Sequence, residues 1–366
     1  MTNQILNSPR RVTSIDALRG FTMFWIIGGD RIMRSLPELS NNFIFTTLDQ
    51  QLRHVEWIGF HFYDLIFPMF LFLIGVVQPF SIESRIRKGA KKYDLYKHIF
   101  LRSVTMFVLG LIYYGIKDPN LKTLGYYGVL QLLAVGYFFS SLILVNTKVK
   151  GILYWAFGII ILYSLSLKFI PVPGFGAGNL TPEGNFSNYI GSLASDVLSP
   201  KFRKLFTPYI LSPISTGLLG ILAGYWIQKD NSPLIKVKGL IFGGTILIFC
   251  SMVLSLWIPV IKNLWSGSFV LLTAGISSVL LGIFYWIIDV KGYSRWAFFF
   301  IVIGLNPITI YFLARIIDFR AIVTFFLLPL IPYLGKFESF IMACGITLMH
   351  WLVVYWLYKR KIFIKL

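Results

Sequence analysis

Two ionisable side chains, His54 and Asp64, lie ten residues apart at the start of a long apolar stretch that continues through Gly75. A titratable group beside a membrane span is a functional candidate by default, because it is costly to keep there. Histidine moves protons near neutral pH. A carboxylate that bonds one imidazole nitrogen fixes the tautomer and raises the basicity of the other nitrogen. Because Gly59 permits a turn, we predict a His54–Asp64 pair, with an interfacial histidine and a helix-capping aspartate as the alternative.

A second polar group opens the first apolar stretch. Asp16 and Arg19 are spaced i, i+3, so they can pair on one helix face. Arg19 also offers a planar fork to a phosphate or carboxylate. The structural alternative is a helix capped by Ser14 with Asp16 in its first turn.

Three amides interrupt other apolar stretches, at Gln131, Asn263 and Asn306. Each either hydrogen-bonds a neighbouring helix or lines a ligand cavity. Asn306 precedes Pro307 in mid-stretch, which predicts a kinked helix. The remaining histidines, His61, His98 and His350, are interpreted as structural or interfacial.

The elements that must position these side chains are membrane helices. The chain has 366 residues, 56% of them hydrophobic and 13% charged, whereas soluble domains carry about 25% charged residues. The apolar residues come in blocks of about 20, the length that crosses a bilayer as a helix. We predict an all-α polytopic membrane helical bundle in a single domain, residues 1–366, with about ten transmembrane helices. The predicted spans are residues 15–35, 60–82, 98–117, 124–145, 150–170, 210–228, 238–258, 267–289, 295–316 and 338–358.

The positive charge indicates orientation rather than nucleic-acid binding. The formal net charge is +19, but the basic residues cluster in short connectors, densest between Arg85 and Lys97, as the positive-inside rule expects. With ten spans, Arg10, Arg11 and the C-terminal basic cluster all fall inside, so both termini are predicted to be cytoplasmic. An eleventh apolar stretch, residues 321–334, is short and holds two prolines, which favours a re-entrant or surface-lying segment.

This orientation places His54 and the connector 171–208 on the extracytoplasmic side. The connector is rich in Gly, Pro, Asn and Ser, and we predict an ordered extracytoplasmic loop. Cys250 and Cys344 lie inside apolar stretches and are expected to pack as small hydrophobic residues. No HExxH, CxxC, GxSxG or Walker pattern is present. The sequence therefore predicts no metal, nucleotide-hydrolysis or serine-hydrolase site.

Several short motifs occur in one order along nearly the whole chain and together resemble the heparan-α-glucosaminide N-acetyltransferase family and its bacterial relatives. They are Asp16-Ala-Leu-Arg-Gly20, the stretch from His54 to Phe72, Gly128-Val-Leu-Gln131, Pro171-Val-Pro-Gly174, Asn263-Leu-Trp-Ser266, Ile288-Asp-Val-Lys291 and Tyr358-Lys-Arg-Lys-Ile-Phe-Ile-Lys365.

The resemblance implies an acyltransferase that takes acetyl from cytosolic acetyl-CoA and delivers it to an amino sugar or glycan across the lipid bilayer. His54 matches the family's active-site histidine, which either accepts the acetyl group or acts as general base. The other implied roles are orientation of His54 by Asp64, cofactor binding by Arg19, Asp16, Gln131 and Asn306, and substrate binding by Trp57, Asn263 and Trp265. The implied location is a bacterial inner membrane, and a homodimer is among the expected partners.

The chain departs from the family just before the sixth span. Members often carry Asp-Pro-Glu-Gly there, whereas residues 206–213 hold no acidic side chain. Two other classes remain open. A sugar or glycan transporter is consistent with polar residues inside spans and a kinked ninth helix. A membrane scaffold with a vestigial pocket is the third.

Overall fold

The structure, a computed structural model, describes residues 12–116, 125–193 and 207–364, and helices make up most of them. Arg10, Arg11 and Lys365, which belong to predicted features, lie outside these residues. Part of the predicted loop 171–208 also lies outside them.

The first half of the chain forms a broken helix, a run of short helices and four long helices. α1 continues through a π-helical turn, Trp25–Gly29, into α2. The elements are α1 (Thr13–Phe24), α2 (Asp30–Arg34), α3 (Leu36–Leu39), α4 (Phe43–Gln51), α5 (Phe62–Arg87), α6 (Lys92–Gly115), α7 (Val129–Asn146), α8 (Val149–Phe169), β1 (Pro171–Val172), β2 (Gly176–Ala177) and α9 (Phe186–Leu193).

The second half adds four further long helices and one sharply bent pair. The helices are α10 (Leu211–Gln228), α11 (Pro233–Ser255), α12 (Gly267–Phe284), α13 (Phe298–Leu305), α14 (Pro307–Ile316), α15 (Phe319–Leu327), α16 (Ile331–Leu334) and α17 (Glu338–Lys359). α12 continues as a π-helix, Tyr285–Val290.

Within the described ranges, eight helices are long and apolar enough to cross a membrane, or nine if the bent pair counts as one span. The chain is therefore an integral, multi-pass helical membrane protein. The nine correspond to nine predicted spans. The predicted first span is α1 with its continuation, which carries several charged side chains and is not among the nine. The predicted kink is confirmed, since α13 and α14 meet at Asn306 with a 76° bend.

α5 is the central helix of the bundle, and glycines allow its neighbour to approach closely. A Cβ added at Gly75 of α5 would overlap the carbonyl oxygen of Gly217, and one at Gly220 of α10 would overlap that of Phe72. Small residues at such crossings bring membrane helices into backbone contact. A similar crossing joins α1 to α13 at Gly20 and Gly304.

The start of α1 is capped by a distant carboxylate rather than by Ser14. Asp289 accepts hydrogen bonds from the backbone N–H groups of Thr13 and Ser14, at 3.0 Å each. The alternative of a Ser14 cap is not realised, because α1 begins at Thr13 and Ser14 lies inside its first turn, as Asp16 does.

The connector after α8 begins with regular structure. β1 and β2 form a small antiparallel hairpin, and α9 follows it. Residues 194–206 lie outside the described part of the chain. The stretch 321–334 falls in α15 and α16, both too short to span a membrane. Extracytoplasmic and cytoplasmic placement stays a prediction.

Candidate functional site

The loop between α4 and α5 carries His54, and backbone contacts fix its path. Ile58 pairs with Ile261 in an isolated antiparallel bridge, and the N–H of Gly59 donates to the carbonyl of Val260 at 2.9 Å. Gly59 has φ +125°, a conformation that side-chain-bearing residues rarely adopt. Two loops that lie about 200 residues apart in sequence are thereby held side by side.

Asp64 occupies the first turn of α5, and its side chain is fully buried. Its Oδ2 accepts from the backbone N–H of His61 at 3.1 Å, which closes the start of the helix. Its Oδ1 lies 2.7 Å from His54 Nδ1 and 3.0 Å from Lys262 Nζ. The helix N-terminus and these donors favour the ionised carboxylate. The predicted His54–Asp64 pair is therefore present.

His54 itself is half-exposed, at 52% of its side chain. Because the carboxylate is an acceptor, we assign the imidazole proton to Nδ1. The lone pair of Nε2 then faces Lys262 Nζ at 3.1 Å. The Tyr63 ring lies 4.8 Å from the imidazole and limits its rotation. An exposed, oriented imidazole of this kind can act as a general base or as a nucleophile.

Lys262 completes this group, which we call the triad: His54, Asp64 and Lys262. Its Nζ lies 2.6 Å from Nδ1 and 3.1 Å from Nε2 of His54. Burial lowers the pKa of Lys262 below its usual 10.5, while the charge of Asp64 acts in the opposite direction. Because Nζ lies within hydrogen-bond distance of the Nε2 lone pair, Lys262 must move aside before Nε2 can react.

The three residues predicted to bind substrate have different surroundings. Trp57 is half-buried and donates from Nε1 to the carbonyl of Leu180 at 2.7 Å, which ties the His54 loop to the connector after α8. Asn263 is exposed and donates to the carbonyl of Glu56 at 3.1 Å. Both residues therefore fasten the His54 loop, at the rim of the triad, to neighbouring loops: Trp57 to the connector after α8 and Asn263 to the loop that carries Lys262.

Trp265 is buried rather than exposed at this rim. Its side chain is 1% exposed, its φ is +46°, and its Nε1 donates to Thr216 Oγ1 at 3.3 Å. Its ring packs edge-on against Phe67 and Tyr209. Direct substrate contact by Trp265 stays a prediction, while the structure shows its ring buried in the bundle.

A basic cavity of about 320 Å³ lies toward the opposite end of α5. It is lined by four basic side chains, Arg19, Arg85, His98 and Arg102. Arg102 holds its guanidinium 4.6 Å from the centre of the Tyr137 ring, and its Nε is buried without a hydrogen-bond partner. Unpaired buried donors are rare in folded proteins, so this atom is expected to meet a ligand or water.

Arg19 lines this cavity but already has partners. Its Nη2 donates to Asp16 Oδ1 at 2.7 Å. Its Nε donates to the carbonyl of Gly304 at 2.7 Å. The predicted Asp16–Arg19 pair is present, and Arg19 additionally braces the α1–α13 crossing. Asp16 itself is buried and does not line the basic cavity.

The two amides predicted to bind cofactor make structural contacts instead of lining the basic cavity. Gln131 donates to the carbonyl of Gly125 at 2.8 Å within a tight helix contact. Asn306 donates to the carbonyl of Ile362 at 3.0 Å and accepts from the N–H of Ile364 at 2.9 Å. Asn306 thus holds the C-terminal tail, whose Ile364 does line the cavity.

Sequence patterns missed Lys262, Arg85, His98 and Arg102 as site residues. The signal for Lys262 was a lone lysine in an otherwise apolar loop, beside Asn263. Arg85 was interpreted as part of a cytoplasmic charge cluster. In the described part of the chain, no group of three or more His, Cys, Asp or Glu side chains could hold a metal ion.

Comparison with known proteins places this arrangement in a family. The model for the catalytic region of heparan-alpha-glucosaminide N-acetyltransferase matches residues 11–257, which include His54 and Asp64. The human protein of that name is 26% identical over 83% of this chain and 52% of its own length. The mouse protein is 27% identical over 86% of this chain and 56% of its own length.

This chain therefore spans about half the length of these curated relatives. Lys262, Asn263 and Trp265 lie just beyond the residues that the family model matches. That match covers well over half of the chain, including the loop and helix that carry His54 and Asp64. The chain belongs to the heparan-alpha-glucosaminide N-acetyltransferase family.

Proposed function

We propose that this protein is a transmembrane acetyltransferase, which moves an acyl group from acetyl-CoA on one side of the membrane to the amine of an amino sugar or glycan on the other. The observation that carries the proposal is the 2.7 Å contact between His54 Nδ1 and the buried Asp64, with the imidazole half-exposed. The family membership supplies the reaction class.

At the triad, His54 Nε2 acts in one of two ways. As general base it removes a proton from the amine while the nitrogen attacks the thioester carbonyl, and the CoA sulfur leaves. As nucleophile it attacks the thioester itself, and the amine then displaces the imidazole from the acyl-histidine. In both routes Asp64 orients the ring, and the ammonium of Lys262 balances the charge of Asp64.

At the basic cavity, the guanidinium groups suit the phosphates of CoA. Arg85 and Arg102 supply charge-assisted donors, and the unpaired Nε of Arg102 points to a missing acceptor. The cavity extends along α5 as far as Phe70. That residue is about 9 Å from Asp64 at the helical rise of 1.5 Å per residue.

A small apolar space of about 10 Å³ adjoins the basic cavity. It is lined by Phe67 and Phe70, which lie between Asp64 and the basic cavity along α5. In this proposal, transfer requires the apolar side chains along this stretch to move apart. Pro68 inside α5 and the break at Asn306 are positions where helices bend most readily.

The proposed setting is a bacterial inner membrane, with the basic cavity facing the cytoplasm and the triad facing outward. The positive-inside distribution of lysine and arginine supports this orientation. The connector 171–208 then forms an ordered loop over the acceptor side, and a homodimer is the proposed assembly to be tested.

The test offers radiolabelled acetyl-CoA to membranes with a panel of amino sugars and compares wild type with His54→Ala. We expect labelled product from wild type and none from the variant. His61→Asn is the matched control, because the His61 imidazole contacts the carbonyl of Arg53 and only its backbone N–H, which the variant keeps, bonds Asp64. Full transfer by His54→Ala would exclude the mechanism.

A transporter is the second candidate, favoured by one observation. The span α13–α14 is broken at Asn306, and broken helices build the substrate sites of many secondary transporters. Uptake of a labelled amino sugar into proteoliposomes without acetyl-CoA would support it, and uptake that depends on acetyl-CoA would count against it.

A further inference from the structure

A third cavity lies apart from both the triad and the basic cavity. Its volume is about 170 Å³, and it lies among the π-helical turn Trp25–Gly29, α2, α6, α14, α15 and α17. Its walls include the stacked rings of Tyr113 and Tyr311, whose centres are 4.6 Å apart. Because liquid water occupies about 30 Å³ per molecule, the space holds several waters or one small charged group.

A buried histidine with an unpaired nitrogen lines this cavity. The side chain of His350 is 3% exposed, and its Nδ1 has no hydrogen-bond partner in the structure. The ring is held by an edge-on contact with Phe319, with centres 4.4 Å apart. Buried polar groups in native proteins almost always have a partner, so Nδ1 indicates a ligand that the cavity accepts.

Two arginines face the same space without carboxylate partners. Arg31 and Arg320 line the cavity, and neither makes an ion pair within the described residues. The one carboxylate on the cavity, Asp318, accepts from the N–H of Ala321 at 3.0 Å and caps α15. The cavity therefore has an excess of positive charge and of hydrogen-bond donors.

We propose that this cavity binds an oxyanion, the phosphate, sulfate or carboxylate group of a ligand, between the guanidinium groups of Arg31 and Arg320, with His350 Nδ1 as a further polar contact. A guanidinium bonds such groups through two parallel N–H donors. Because the His350 ring also hydrogen-bonds the backbone of Ile27, its Nδ1 accepts from a hydroxyl of the ligand or from a bridging water.

The site is also connected to the triad. Arg31 follows Asp30, which lies close to Tyr63, and the Tyr63 ring lies 4.8 Å from His54. The anion has two chemical sources, an anionic lipid headgroup at the membrane surface or an acid group on a soluble ligand. The proposal does not depend on acetyl transfer.

The first experiment measures the thermal unfolding midpoint of the purified full chain in nonionic detergent against inorganic phosphate, with sodium chloride at matched ionic strength. Wild type is compared with Arg31→Gln/Arg320→Gln and with Arg295→Gln, an exposed arginine away from the cavity. We expect a saturable rise for wild type and Arg295→Gln, and at least a tenfold weaker apparent affinity for the double variant. Equal responses in all three would overturn the proposal, since salts also stabilise proteins non-specifically.

His350→Phe tests the third polar contact separately, because it retains a ring against Phe319 and removes Nδ1. We expect phosphate to bind more weakly than to wild type and more tightly than to the double variant. Unchanged affinity would exclude His350 from the site and contradict the argument from its unpaired nitrogen.

A second experiment distinguishes the sources in nanodiscs. If the anion is a lipid headgroup, phosphatidylglycerol raises the midpoint of wild type above that of the double variant, compared with phosphatidylcholine alone. If the anion belongs to a soluble ligand, glucosamine 6-phosphate raises the midpoint of wild type above that of the double variant in phosphatidylcholine nanodiscs. Glucosamine, which lacks the phosphate, leaves the midpoint unchanged. Absence of both effects overturns the proposal.

Discussion

The two ends of α5 carry polar groups of opposite character. At the Asp64 end, each charged side chain of the triad already contacts the other two, and loops distant in sequence are fastened around them. At the Arg85 end, four basic side chains surround open space, and a buried guanidinium nitrogen of Arg102 has no partner. The first arrangement is preorganised for chemistry, while the second is completed by a ligand.

This difference predicts which kinetic constant each region controls. Changes in a preorganised group lower kcat, since they remove interactions made in the transition state. Changes in a ligand-completed cavity raise KM for the donor, since they remove binding that the ground state and transition state share.

Asp64→Asn is expected to have the largest effect. The amide cannot hold the His54 proton as the carboxylate does, and it leaves the partly buried Lys262 without its counter-ion. We expect kcat to fall by about 10²–10⁴-fold with little change in KM for acetyl-CoA. Steady-state kinetics with labelled donor measure both constants, and thermal unfolding verifies that the variant is folded. Retention of wild-type kcat would mean that the triad is not the reacting group.

Arg102→Gln tests the basic cavity at the Arg85 end of α5. Loss of one charge-assisted contact to phosphate is expected to raise KM for acetyl-CoA about tenfold and to leave kcat nearly unchanged. Lys291→Gln is the control, as an exposed basic residue outside the cavity. A loss confined to kcat would show that this cavity is not where the donor binds.

Asn306→Ala tests whether the tail belongs to the donor region. The variant loses two hydrogen bonds to the backbone of residues 362 and 364, which costs about 1–2 kcal/mol of stability. Because Ile364 lines the basic cavity, we also expect KM for acetyl-CoA to rise several-fold. Unaltered stability and KM would separate the tail from the donor site.

Lys262→Met is expected to have the smallest effect on stability, and its sign depends on pH. Burial lowers the pKa of Lys262 in the folded protein below 10.5. Between that lowered pKa and 10.5, the unfolded chain binds more protons than the folded chain, so raising pH stabilises wild type relative to the variant.

Unfolding midpoints of wild type and Lys262→Met, compared from about pH 8 to about pH 10.5, measure this difference. Exposed Lys291→Met should show no such trend. A wild-type advantage that shrinks as pH rises would contradict the burial of the Lys262 ammonium.

The sequence alone determined the fold class and part of the site. Apolar blocks of membrane length leave helices as the structure that pairs every backbone group within one segment, so the bundle was predictable. The His54–Asp64 pair was predictable too, because the two residues are close in sequence and a glycine separates them. The bend at Asn306 followed from the proline after it.

Only the tertiary structure decided which distant residues join these local features. Lys262 reaches the triad because strand-like pairing holds its loop against the His54 loop, and no local pattern encodes that contact. Folding buried Trp265, a predicted substrate contact, in the core, and tail binding gave Asn306 a structural role. Periodicity and spacing describe one segment at a time, whereas these roles arise from contacts between segments far apart in sequence.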